Sequence, residues 1–128
     1  QAEDGIRDDV ESRGLGDVNK RQQVNISNVT FEPRCRNNWH IHRAKSGGGQ
    51  MLIGVAGRGW YQEEGKPAVE ILPGTVIRIP ANVKHWHGAA ADCWFAHLAF
   101  EVPGESAFNE WLEPVTDEEY DNLETNKR

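Results

Sequence analysis

The chain has 128 residues, with 14 Lys and Arg against 20 Asp and Glu and a formal net charge of −6. Lys20-Arg21 and Lys127-Arg128 are its only adjacent basic pairs, which argues against a nucleic-acid partner on electrostatic grounds. No apolar run approaches the roughly 18–20 residues of a membrane span, and the length is that of one domain able to bury a core without cross-links.

Residues 1–22 are charged, dotted with glycine and without a sustained period, so they are read as a polar N-terminal arm or disordered tail. From Val24 the pattern changes to short apolar runs punctuated by Gly and Pro. Strands are expected at Val24–Phe31, Trp39–His42 and Gln50–Val55, the last followed by the turn Gly57-Arg58-Gly59. Gly59–Gln62 and Ala68–Leu72 form a hairpin pattern around Glu64-Gly65-Lys66-Pro67. After the Pro73-Gly74 turn, Thr75–Ile79 alternates up to Pro80, and Ala81–Lys84 reads as a loop. His85–Gly88 and Cys93–Val102 complete a set of about eight to nine strands, which fits an all-β jelly-roll barrel over residues 23–112.

Ser106–Leu112 is expected as a short helix or an extended arm, and residues 113–128 as a C-terminal tail. Within that tail, Thr116-Asp117-Glu118-Glu119 fits a capping box for a terminal helical turn. Trp111–Tyr120 either folds over the barrel mouth or a subunit partner, or is solvated with Trp111 packed on the sandwich. Cys35 and Cys93 read either as two reduced, partly buried thiols or as a pair. The chain begins at Gln1 and not at methionine, which leaves a cytoplasmic protein and an exported, periplasmic one both open.

The most specific feature is a repeated pair, His40-Ile41-His42 and His85-Trp86-His87. Alternate residues of a strand face the same way, so each pair aims two imidazoles in one direction. Neutral imidazole is the commonest nitrogen ligand for Mn, Fe, Co, Ni and Zn. In the last long strand Phe95, His97, Ala99 and Glu101 share one face. If these faces line the interior, His40, His42, His85, His87, His97, Gln50 and Glu101 converge in one lumen. A core of that polarity is very costly without a metal or ligand to satisfy it. Gln50 at a strand start more often faces solvent, and Glu101 reads equally as a solvated strand-end carboxylate.

These residues reach a known family. Trp39-His40-Ile41-His42, Gln50, Gly54 and Gly57 resemble the first cupin motif, and Pro73–Pro80 with His85-Trp86-His87 resembles the second. Phe31-Glu32-Pro33, Lys84–Ala90, His97-Leu98-Ala99 and Pro114–Tyr120 bring the likeness closer to small bacterial cupins that include the manganese-dependent hydroxynitrile lyases. The resemblance implies His40, His42, Gln50 and His85 as metal ligands and places His87 and His97 in the pocket, either supporting the ligands from behind or as acid–base residues. One departure stands out: seven residues, Arg43–Gly49, separate His42 from Gln50, where the motif is usually shorter. They read as a flexible Gly-rich loop bulging outward with Gln50 in place; the alternative is a displaced Gln50 and three histidines plus water.

A set of three His and one Gln carries no anionic ligand, so a bound divalent metal keeps a charge of about +2 and favours Lewis-acid chemistry. The resemblance points to Mn, whereas ligand affinity alone ranks Zn or Ni above it, and Fe and Co also suit the donors. The first functional expectation is a lyase or proton-transfer enzyme acting on a small oxygenated substrate, with His97 or His87 as general base. Trp39, Trp86 and Phe95 are expected as apolar walls of a substrate pocket with Glu101, although aromatic residues at these positions are equally what a barrel core needs. The alternatives are a non-catalytic metal-dependent binding cupin and an iron-dependent dioxygenase. A homodimer is expected by analogy with small cupins.

Overall fold

The computed structural model describes residues 6–8 and 25–126. In chain order the strands are β1 (Ile6–Asp8), β2 (Ile26–Phe31), β3 (His40–Arg43), β4 (Ser46–Gly47), β5 (Gln50–Gly57) and β6 (Gly59–Glu63). They continue with β7 (Val69–Ile71), β8 (Val76–Ile79), β9 (Lys84–Ala89), β10 (Phe95–Glu101), β11 (Gly104–Glu105) and β12 (Phe108–Trp111), before helix α1 (Asp117–Asn126). One sheet runs β1-β2-β10-β5-β8 and the other β12-β3-β9-β6-β7, while β4 and β11 form a small ribbon. Neighbours in each sheet are mostly distant in sequence, as in a jelly roll. The all-β expectation is met, and no helix among the described residues is long and apolar enough to cross a membrane.

The alternation that signalled strands also builds the core. On β10, Phe95, His97 and Ala99 are buried while Ala96, Leu98 and Phe100 on the other face are partly exposed. Phe31, Leu52, Ile71, Ile77, Ile79 and Phe95 meet between the sheets, with Tyr61 and Ala99. Trp86 of β9, which alternates the other way, enters a second cluster outside the barrel, with Trp39 just before β3 and Trp60 of β6. There Trp39, Trp60 and Trp86 pack against Val115, Tyr120 and Leu123.

That second cluster explains the C-terminal segment. Thr116 Oγ1 accepts from the Glu119 amide at 3.1 Å, and Glu119 Oε1 accepts from the Thr116 amide at 2.9 Å. This reciprocal cap stabilises the helix start by about 1 kcal/mol. Once started, the helix buries Tyr120 and Leu123, and the Tyr120 hydroxyl donates to the carbonyl of Ala89. Arg36 lies 4.4 Å above the Tyr120 ring and pairs with Asp117 at 2.8 Å. The expected terminal turn is therefore a helix of 10 residues docked on the sheet, and the segment is no solvated tail. Ser106–Leu112 resolves as the extended alternative, because Phe108–Trp111 pairs with β3 as an edge strand.

The Gly-rich insertion differs most from expectation. Gly47, Gly48 and Gly49 have φ of +62°, +81° and +95°, conformations that cost other residues strain. They turn the chain so that Ser46 and Gly47 pair with Glu105 and Gly104, and the Gly48 amide donates to Pro103 at 2.9 Å. Long-range pairing pins the segment that local composition reads as loose, and Gln50 opens β5 directly after it. At the N-terminus, Ile6–Asp8 pairs with β2; the rest of the expected arm lies outside the described residues. Cys35 and Cys93 are partly buried thiols that share no disulfide.

Candidate metal centre

Strands β3 and β9 are neighbours, with His40 directly opposite His85. Because each His-x-His pair has the period of a strand, His40, His42, His85 and His87 all turn into the barrel and are buried. Ring nitrogens of His40, His42 and His85 lie within 4.8 Å of one another. The ring centroids of His40 and His85 are 4.2 Å apart and those of His42 and His85 are 5.0 Å apart.

Hydrogen bonds settle which nitrogen of each ring is available. Nδ1 of His40 sits 2.8 Å from the carbonyl of Asn38, and Nδ1 of His85 sits 2.9 Å from that of Val83. A carbonyl only accepts, so both Nδ1 atoms carry the proton and both Nε2 atoms carry a lone pair. His42 Nδ1 is held in the same way by Asn109 Oδ1 at 2.7 Å. Nε2 of His42, His85 and His97 is buried with no hydrogen-bond partner, and so is Gln50 Oε1. An unsatisfied buried acceptor costs about 1–3 kcal/mol, so a cluster of them is stable only if something electropositive fills it. The donor set therefore fits a divalent cation: neutral nitrogen and oxygen, pre-oriented by anchored neighbours.

Gln50 and Glu101 face each other across β5 and β10, and Gln50 Nε2 donates to Glu101 Oε2 at 2.7 Å. An ionised carboxylate cannot donate, so the amide nitrogen must be the atom facing it, which turns the carbonyl oxygen away. Glu101 thereby sets the rotamer of Gln50.

His87 and His97 form a second buried group in the lumen, with ring centroids 4.9 Å apart. Phe31 flanks both, at 5.9 and 5.8 Å, and Phe95 lies 5.3 Å from His97. The β5–β10 register shifts between Ala96 and His97, a bulge of the kind that re-aims a side chain. Asn37 accepts from the His87 backbone amide at 3.0 Å and places its own NH2 3.3 Å from the ring. The two groups touch where His40 and His87 approach to 5.6 Å.

Burial is the main cause of the electrostatics here. It holds the imidazolium form of His40 down to about 3, helped by His85, and that of His85 and His97 to about 4. His87 is lowered well below 6.5, by burial first and then by His97. All four are neutral at pH 7, the form that donates a lone pair. A stability consequence follows from the sign. Below pH 6.5 the unfolded chain takes up protons that the folded one refuses, so acid favours unfolding. Chelator-treated protein should lose stability as the pH falls from 6.5 to 4, by about 3 kcal/mol from His85 alone. Denaturant titrations across that range test it; a flat profile would mean the rings are solvated.

Of the expected pocket, Phe95 and Glu101 face the lumen, whereas Trp39 and Trp86 do not. They sit under α1, because residues adjacent to inward histidines in a strand must point outward. Asn37, Asn109 and Tyr61 join the site without having been expected there, and Trp111, which opens the stretch expected over the barrel mouth or a partner, lies against it. Tyr61 lies 5.7 Å from His85 and donates to Glu63 at 2.8 Å, and the Trp111 ring is 4.6 Å from His40.

Two antiparallel sheets closed around paired histidine motifs define a cupin, and the chain belongs to that superfamily. It is 45% identical, over 94 residues, to the (R)-mandelonitrile lyase of Granulicella tundricola, covering 73% of this chain and 69% of that one. Among solved structures it is similar to a cupin-like protein from Thermotoga maritima, with 38% identity, a TM-score of 0.74 and coverage of 92% and 82%. A cupin protein from Bacteroides fragilis shares the fold at 21% identity and a TM-score of 0.61, covering 91% of this chain and 86% of its own. No family model matches the chain.

Proposed function

We propose that this protein is a metal-dependent lyase that cleaves a cyanohydrin into a carbonyl compound and hydrogen cyanide, with aromatic hydroxynitriles as its substrate class. The observation that carries this reading is the set of buried acceptors without partners, in a chain 45% identical to a mandelonitrile lyase. His40, His42 and His85 would hold a divalent cation through Nε2, with Gln50 Oε1 as fourth donor. The resemblance noted in the sequence puts manganese first, and Fe, Co, Ni and Zn also suit these donors. Such a cation supplies Lewis acidity toward a hydroxyl or carbonyl oxygen.

The protein's own residues handle the proton. In this reading His97 takes the substrate hydroxyl proton at Nε2, which burial keeps deprotonated at neutral pH. As the O–H electron pair becomes the carbonyl π bond, the C–C bond to the nitrile breaks and its pair leaves with cyanide. The imidazolium then returns the proton, giving hydrogen cyanide and a neutral ring. His87 supports the imidazolium from 4.9 Å, and the Phe31 and Phe95 rings exclude water from it. Glu101 keeps the Gln50 carbonyl turned inward.

The test is benzaldehyde release from mandelonitrile, followed by its ultraviolet absorbance, with protein loaded by each metal in turn. Turnover that a chelator abolishes and one metal restores is the expected result. A metal-loaded protein inert toward hydroxynitriles would sink the lyase reading and favour a binding cupin; oxygen uptake by the iron form would favour an oxygenase. The proposal extends to a homodimer across the outer face of the β2-β10-β5-β8 sheet. Met51, Ile53, Leu98 and Phe100 there are only partly buried, and no described element covers them as α1 covers the other sheet. A monomer by sedimentation equilibrium would refute that extension.

A further inference from the structure

Among the described residues, every ring in contact with His40, His42 or His85 is buried except one. His87 and Tyr61 are each 5% exposed, whereas Trp111 is 59% exposed with its centroid 4.6 Å from that of His40. The planes of the two rings differ by 32°, so the indole lies tilted over the imidazole with much of its surface left to solvent. A second, independent contact marks the same place. Asn109, the hydrogen-bond partner of His42, is also exposed. In the register of β12 on β3, Trp111 stands opposite His40 and Asn109 opposite His42. The row of β12 that faces the buried cluster is thus where that cluster meets solvent, and it marks the entrance to the site.

No other tryptophan near the motifs can serve there. Trp39, Trp60 and Trp86 are packed under α1, and the lumen rings Phe31 and Phe95 are committed to His87 and His97. We propose that Trp111 is the specificity-determining wall at this entrance, receiving the flat aryl group of the substrate and selecting it over an alkyl group. Stacking geometry supplies the reason. An aromatic face rewards an offset ring beyond the area it covers, and a methyl group gains only the area. The inference rests on the proposed function in taking this lumen as the substrate site, but it does not depend on the bond that is cleaved.

Mandelate and lactate make a suitable pair of probes, since both are 2-hydroxy acids and they differ only in phenyl against methyl. Calorimetric titration of the metal-loaded protein should show mandelate binding about tenfold more tightly than lactate. In Trp111→Ala that ratio should fall to about twofold or less through loss of mandelate affinity, while Trp111→Phe should keep most of it. Metal content and thermal midpoint are measured alongside and should stay at the wild-type level, because the side chain is mostly exposed on an edge strand. Equal affinities in the wild type, no binding of either acid, an unchanged ratio in Trp111→Ala, or equal loss of both ligands would each overturn the assignment. If the ratio behaves as expected while mandelonitrile is not cleaved, the lyase reading fails and the aryl wall stands.

Discussion

Replacing His97 by alanine should abolish mandelonitrile turnover, by about 10²–10⁴-fold in kcat, with metal content unchanged. The separation of effects follows from where the ring sits. His97 is fully buried, its Nδ1 is 3.2 Å from the carbonyl of Leu98, and its Nε2 has no partner. It stands outside the cluster formed by His40, His42 and His85. Removing it should take away the proton acceptor and leave the ligand atoms in place. Because the deletion leaves a void between Phe31 and Phe95, His97→Gln serves as a control that fills the space without an imidazole lone pair. Both variants should be inactive, and both should bind metal as tightly as the wild type. Metal loss equal to activity loss would make His97 a ligand, and full activity in either variant would remove it from the reaction.

His85→Ala should instead lose the metal first and activity as a consequence. His85 is fully buried and is the ring that both His40 and His42 approach, at 4.2 and 5.0 Å. Deleting it takes one nitrogen from the donor set and leaves two histidines with a void between them. A ligand that binds only the folded state stabilises it by about 2.7 kcal/mol at a hundredfold excess over Kd. If the variant binds a hundredfold more weakly, the same metal concentration contributes only about 0.4 kcal/mol, so the metal-dependent rise in Tm should nearly vanish. Differential scanning calorimetry with and without metal reads this directly. A variant that retains stoichiometric metal and its thermal shift would show that the cation, if any, is held elsewhere.

Much of the site was legible in the chain because its rule is local. Residues two apart in a strand share a face, so two His-x-His pairs announce converging imidazoles before any coordinates exist. The same rule, applied one residue over, puts Trp39 and Trp86 on the far side, which decides between the two roles open to them. They serve a second core and not a pocket wall, under a helix whose capping box is itself visible at Thr116 and Glu119.

The contacts that tune the site had no local signature. Asn109 reaches His42 across 67 positions, Glu101 reaches Gln50 across 51, and Asn37 reaches His87 across 50. Asn37 and Asn109 are each one polar residue in an ordinary segment that only strand pairing selects, and for Glu101, whose face alternation does indicate, pairing alone sets Gln50 as its partner. The glycines before Gln50 make the same point, since composition suggests looseness and the partner that removes it is the distant segment 102–105.

By itself, then, the order of residues determined most of the barrel strands, their inward faces and the histidines that share them, because side-chain direction in a strand depends only on backbone period. Tertiary structure alone decided which imidazole nitrogen is free, how Gln50 is turned, and that Trp111 stands at the entrance. Those properties depend on partners brought together by the crossing of distant strands, and no spacing along the chain encodes which strands will meet.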